Sequence, residues 1–251
     1  MKALRLHGPK TLRLDDVEEP QIEPDEVLIR VEYAGVCGSD LHVYRGAMRN
    51  RVKYPAIPGH EFSGVVARVG SRVTWLSEGD RVVVNSVVPC GRCVTCAAGR
   101  PNICTNFKIL GVDLPGAFAE YVKIRGDRVY RIPEGLSLRE AALAEPFSVA
   151  LHACRRANIE IGDTVVVIGQ GPIGLCVTQA AKHYGAEKVI ALEILGNRLE
   201  LSKRVGADFA INPREVDPVK AVRELTNGIG ADKVIEASGA PGGSRPSAGH
   251  A

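Results

Sequence analysis

The stretch DTVVVIGQGPIGLCVTQAAKHYGAEKVIALE, residues 163–193, limits what this chain can fold into more than any other. Thr164–Ile168 reads as a continuous apolar run, the pattern of a strand buried on both faces. Gly169-Gln170-Gly171-Pro172-Ile173-Gly174 follows and spells G-x-G-x-x-G. A helix is expected over about Ile173–Tyr184 and a second strand over Val189–Leu192. The glycine string is weak alone. Here it sits between a strand and a helix, with Glu193 nineteen residues past its last glycine, and so marks a turn that cradles a pyrophosphate. Gly169 makes the tight turn, Gly171 lets backbone approach the phosphates, and Gly174 lets the helix pack on the strand with its first amides facing the anion. Glu193 ends the second strand, where a carboxylate accepts ribose hydroxyls and repels a 2′-phosphate, which favours NAD over NADP. Arg198 either covers the adenosine or is a solvated helix charge.

The alternation continues with a helix near Asn197–Val205, a strand at Phe209–Ile211, a helix near Asp217–Thr226 and a strand at 233–238. That is roughly half to two-thirds of a doubly wound parallel sheet. The Gly-, Pro- and Ser-rich end, GAPGGSRPSAGHA, has no periodic face and is expected to be a disordered tail. The first part of the chain follows another pattern. Residues 26–35, 62–70 and 80–88 are β-branched runs bounded by turn residues, and few helical patterns precede residue 138. The expected organisation is a mostly β, barrel-like unit over 1–150, an α/β unit over 151–241 and a tail over 242–251.

Cys90, Cys93, Cys96 and Cys104 read as C-x2-C-x2-C-x7-C. Disulfides suit small, cysteine-dense secreted domains, whereas this chain has 251 residues, seven cysteines and a start, MKALRLHGPK, without a long apolar segment. An iron–sulfur run of the bacterial type ends in C-x3-C-P, which this one does not. A closed tetrahedral Cys₄ zinc site fits best. It leaves no open coordination position, so it is structural and the chemistry lies elsewhere. Free thiols without an export signal point to the cytoplasm.

Two further stretches combine thiol, imidazole and carboxylate on turns beside strands. These are GVCGSDLH, with Cys37, Ser39, Asp40 and His42, and PGHEFSG, with His60 and Glu61. An open catalytic zinc site wants those groups, with Asp40 holding the ligating imidazole from behind. Neighbouring strand residues face opposite ways, so His60 and Glu61 share a metal only if the backbone bends, and Pro58-Gly59 makes a bend plausible.

Gly59-His60-Glu61-x2-Gly64-x5-Gly70-x2-Val73, CGSDLH, the four-cysteine lobe, AEPFSVALHA (144–153) and GQGPIGL together resemble the zinc-containing medium-chain alcohol dehydrogenases, in the polyol (sorbitol), butanediol and threonine dehydrogenase branch. The resemblance covers residues 1 to about 241. It implies a GroES-like β-barrel catalytic domain followed by a Rossmann sheet, incomplete here, and a chain that stops short of the family's length. It implies one catalytic and one structural zinc, with NAD as the hydride acceptor. Cys37 and His60 are then ligands of the catalytic zinc, with Glu61 or Glu145 as the third. Ile173, Glu193 and Arg198 contact NAD, and Ser39 with His42 relays the alcohol proton. Oxidation of a secondary alcohol follows, with L-threonine 3-dehydrogenation or an inactive zinc-binding remnant as alternatives. In its full-length form the family suggests a homodimer or homotetramer. Lysine and arginine outnumber acids by only 32 to 29, which opposes nucleic acid or an anionic membrane as a partner and leaves a small-molecule alcohol. No apolar stretch approaches the length that spans a bilayer.

Overall fold

The chain divides into two units, Met1–Glu145 and Pro146 onward, five residues before the boundary expected at 150. The structure is a computed structural model and describes residues 1–240. The expected tail at 242–251 lies outside the described residues.

The first unit runs β1 (Lys2–Gly8), β2 (Thr11–Asp16), β3 (Glu26–Ala34), α1 (Gly38–Arg45), β4 (Phe62–Val69), β5 (Arg81–Val84), β6 (Val87–Val88), α2 (Val94–Ala97), β7 (Lys108–Ile109), β8 (Tyr121–Arg125), β9 (Val129–Arg131) and α3 (Leu138–Ala141). Its main sheet is antiparallel in the order β8-β3-β4-β5-β9, with β1-β2 and β6-β7 as separate ribbons. Period-two alternation turns one set of side chains inward. Val27 and Ile29 of β3, Phe62 and Val66 of β4, Val82 and Val84 of β5, and Val122 and Ile124 of β8 form one core. A smaller cluster of Leu6, Val43, Val52 and Val112 seats α1 against β1.

Two local expectations change. The run 80–88 is two strands, because Asn85 turns the chain aside. Its N–H donates to the Arg128 carbonyl, and its Oδ1 accepts the Val87 N–H at 3.0 Å. Residues 38–45 form a helix that apolar periodicity does not announce, since Val43 is its one buried apolar side chain.

Helix α4 (Ala144–Ala157) starts at the end of the first unit, and the second unit takes up the rest of it, then β10 (Thr164–Ile168), α5 (Pro172–His183), β11 (Lys188–Leu192), α6 (Gly196–Arg204), β12 (Phe209–Ile211), α7 (Pro218–Leu225) and β13 (Lys233–Glu236). The sheet is parallel in the order β12-β11-β10-β13. Val165 and Val167 of β10 pack with Ala150 and Cys154 of α4 and with Val177 and Ala181 of α5. Val166, pointing the other way, packs with Ile190, Ile211 and Val222. Both faces are covered, which is why β10 is apolar throughout. Helix limits lie within one or two residues of the sequence expectation, while β13 stops at Glu236 rather than 238.

Candidate functional site: two metal clusters and a glycine turn

Cys93 caps the short helix α2, and a 3₁₀ turn over Pro101–Ile103 brings Cys104 back beside it. The four sulfurs of Cys90, Cys93, Cys96 and Cys104 all lie within 4.8 Å of one another. Cys93 Sγ is 3.4 Å from Cys96 Sγ and 3.7 Å from Cys104 Sγ, and none of the seven cysteines is in a disulfide. Zn–S bonds of about 2.3 Å in a tetrahedron put sulfurs about 3.8 Å apart, so the spacing fits zinc. The electrostatics agree. The Thr95 hydroxyl and the Cys96 N–H draw the Cys93 thiol down to about 5. Burial, then Cys93 and Cys104, push Cys96 up to about 12. Backbone N–H groups of Arg92 and Cys93 also draw the Cys90 thiol down, whereas the thiolate of Cys96 needs a cation to hold it.

The second cluster joins Cys37, His60 and Glu61, whose donor atoms also lie within 4.8 Å of one another. Cys37 is the N-cap of α1. The strand-alternation objection disappears because His60 and Glu61 precede β4 on a bend at Gly59, where φ is +96°. A Cβ at Gly59 would stand 2.6 Å from the Phe118 ring, so only glycine fits that turn. The bend is pinned from β3, where the Gly35 N–H donates to the Glu61 carbonyl at 2.7 Å. A Cβ on Gly35 would lie 2.6 Å from Glu61 Oε2, so Gly35 leaves room for that carboxylate.

Asp40, almost fully buried, ties the segments together. It accepts the Cys37 N–H at 2.9 Å and the Gly59 N–H at 3.2 Å, and its Oδ1 stands 3.6 Å from His60 Nδ1. Nδ1 is buried and makes no hydrogen bond. With Asp40 behind Nδ1, Nε2 is the nitrogen free to ligate, and Ser39 Oγ lies 3.4 Å from it. Burial lowers the His60 pKa, but Asp40 and Cys37 outweigh it and raise it to about 10. A metal-free site therefore holds a proton where a dication fits. Of the two glutamates that sequence leaves open, Glu61 converges with Cys37 and His60. Glu145, in the first turn of α4, stands outside that trio yet feels it. Burial raises its pKa, His60 opposes the rise, and Glu61 and Asp40 add to it. His42 is exposed on α1, three residues beyond Ser39.

In the second unit Gly169 has φ +85° and sits against Ser238, while Gly174 packs so closely that a Cβ would overlap the Gly169 carbonyl. Gly171 differs. A Cβ there would meet nothing nearer than Arg198 Nη1 at 3.9 Å, so open space lies before it. Gly171 begins α5 without a side-chain cap, leaving first-turn amides for an anion. Ile173 is half-buried against the α4–α5 core. Glu193 accepts the N–H groups of Gln170 (2.9 Å), Ile194 (2.7 Å) and Leu195 (3.1 Å), and Arg198 stands 3.6 Å away. Burial favours its neutral form, but these donors and Arg198 hold the carboxyl below its usual range. Sequence reasoning missed the buried side chain of Gln170 and the role of Gly35. A polar residue inside the glycine turn was the available signal for the first.

Residues 23–134 match the alcohol dehydrogenase GroES-like domain, and residues 172–247 match the zinc-binding dehydrogenase domain. The chain is 43% identical over 244 residues to sorbitol dehydrogenase of Bacillus subtilis (strain 168), covering 96% of this chain and 69% of that one. It is 42% identical to the L-threonine 3-dehydrogenase of the same organism, over 96% and 70%. A zinc-binding dehydrogenase of Sinorhizobium meliloti 1021, bound to NADP, superposes with a TM-score of 0.88 at 34% identity, over 95% and 70%. No helix among the described residues is long and apolar enough to cross a membrane. With both donor sets in place and two domain matches covering most of its length, the chain belongs to the zinc-containing medium-chain alcohol dehydrogenase family, whose cofactors are zinc and a nicotinamide nucleotide.

Proposed function

We propose that this chain oxidises a secondary alcohol of a polyol or diol with NAD, in a cytoplasmic homo-oligomer. The reading rests above all on the convergence of Cys37, His60 and Glu61 beside Ser39. Residues 1–145 form the catalytic unit. Cys37, His60 and Glu61 hold one zinc there, and Cys90, Cys93, Cys96 and Cys104 hold the structural one. The unit from Pro146 binds the nucleotide through Gly169, Gly171, Ile173, Gly174, Glu193 and Arg198. Bound zinc supplies Lewis acidity to a substrate hydroxyl, and the nicotinamide accepts the hydride.

The chain's own residues do the rest. Asp40 fixes the backbone at Cys37 and at Gly59, beside His60, and sets its carboxylate 3.6 Å from His60 Nδ1. Ser39 takes the alcohol proton and passes it towards His42, which sits at helical i,i+3 spacing on the same side of α1 and reaches solvent. Glu145 is a half-buried carboxyl beside the ligands and helps hold the substrate. Glu193 meets the ribose hydroxyls and disfavours a 2′-phosphate. Ser39→Ala should lower turnover about 100-fold or more while leaving the NADH dissociation constant within a factor of about two. Unchanged turnover removes Ser39 from the relay.

The decisive experiment is an NADH-coupled assay with sorbitol, butanediol and threonine, run with NAD and with NADP on protein whose zinc has been counted. Polyol or diol turnover with NAD and two zinc ions per chain is the expected result. Absence of zinc beyond the four-thiol lobe ends the proposal. L-threonine is the second reading, because the threonine dehydrogenase relative is nearly as similar as the sorbitol one.

A further inference from the structure

Gln170 occupies the first variable position of the glycine turn and is fully buried. The core between β10 and α5, the two elements its side chain joins, is built of apolar side chains such as Val165, Val167, Val177 and Ala181. An amide in such a place costs stability unless its polar atoms are bonded, and here each one is. Its Nε2 donates to the Val167 carbonyl at 3.2 Å, on the last turn of strand before the glycines. Its Oε1 accepts the Thr178 hydroxyl at 3.0 Å, eight residues on and two turns into α5. Thr178 is itself fully buried. The main-chain N–H of Gln170 donates to Glu193 Oε2 at 2.9 Å. One residue therefore bonds β10, the body of α5 and the carboxylate at the end of β11. Packing alone does not ask for this, since a leucine would fill the same volume among the same neighbours.

We propose that Gln170 is a positioning residue for the dinucleotide: through Val167, Thr178 and Glu193 it locks the phosphate-facing amides of Gly171–Gly174 and the ribose-facing carboxylate into one rigid unit before the nucleotide arrives. The inference rests on the nucleotide-binding reading above. Its physical basis is preorganisation. The turn contains three glycines, which have the most conformational freedom to lose, and a clamp that removes this freedom in the free protein lowers the ordering cost of binding. Phosphate oxygens then meet amides already aimed at them, and the ribose meets a carboxylate already set by the same residue.

The test uses the full zinc-loaded chain and three variants. Thr178→Val keeps the shape and removes the donor to Oε1. Gln170→Leu removes every side-chain bond at similar volume. Thr178→Ser keeps the hydroxyl. Hydrogen exchange on the nucleotide-free protein should show the amides of Gly171, Ile173 and Gly174 exchanging faster in T178V and Q170L, with protection restored in T178S. NADH titration by fluorescence should show a dissociation constant raised about tenfold in T178V and Q170L and wild-type-like in T178S. Unchanged exchange at 171–174 in T178V and Q170L overturns the proposal. So does an unchanged NADH affinity accompanied only by a lower melting temperature, since that is a purely structural role. Failure of the wild type itself to bind NADH would instead overturn the nucleotide reading, and the exchange arm would still decide whether Gln170 sets the turn.

Discussion

Glu193 serves the fold before it serves a ligand. Three backbone N–H groups and Arg198 hold its carboxyl below the ordinary 4.5 even though it is buried. A folded-state pKa below the unfolded one adds stability that is complete above about 4.5 and is lost as the pH falls through the folded value. Glu193→Gln should therefore destabilise the protein most near neutral pH, and the gap to wild type should close as the pH drops below about 4.5. Thermal melts of both proteins across pH 3–8, a range spanning roughly the carboxylate values, check this. A gap constant with pH would mean that the carboxylate charge is not what the three amides hold.

At the scale of elements, the metal cluster depends on where β3 ends and β4 begins. Gly59 supplies the bend, and Gly35 supplies the space into which Glu61 swings. Gly35→Ala should displace the Glu61 carboxylate and loosen the catalytic ion while sparing the four-thiol lobe. Metal analysis after dialysis should fall from about two zinc ions per chain towards one, on the closed-versus-open distinction between such sites. Retention of both ions would show that Glu61 is not a ligand.

The elements themselves were legible to different degrees. β10 and β11 could be read from the sequence because burial on both faces forces unbroken apolar runs, and the glycines punctuate the alternation that locates α5 and β12. α1 could not. It is held by the Cys37–Asp40 capping box and by Val43 packed on Leu6, so its signal is a cap and a tertiary contact rather than a period. The break at Asn85 was hidden for a similar reason, since it is fixed by the distant Arg128 carbonyl. At the site, residue types and spacing pointed to both clusters of candidate donors. That Glu61 rather than Glu145 converges with Cys37 and His60 depends on a backbone torsion at Gly59, which sequence does not carry.

For the molecule as a whole, the four-thiol lobe stands apart from the cores. No residue between 89 and 107 contributes to the sheet core, and Val94 is 85% exposed. Local structure with so little apolar burial is the first to open when its staple goes. Chelating that zinc should raise hydrogen exchange over roughly 89–107 and leave the β3, β4 and β8 amides protected. Collapse of the whole first unit on chelation would show instead that the lobe underpins the sheet. The other cluster has a different dependence. Cys37, Asp40, Gly59, His60 and Glu61 all fall within residues 37–61, and the Asp40 bonds to Cys37 and Gly59 lie within that stretch. A ribosome finishes that region long before it reaches the glycine turn. If these residues hold the zinc proposed for them, metal supply early in synthesis, rather than nucleotide supply afterwards, becomes the first checkpoint on whether a functional molecule is made.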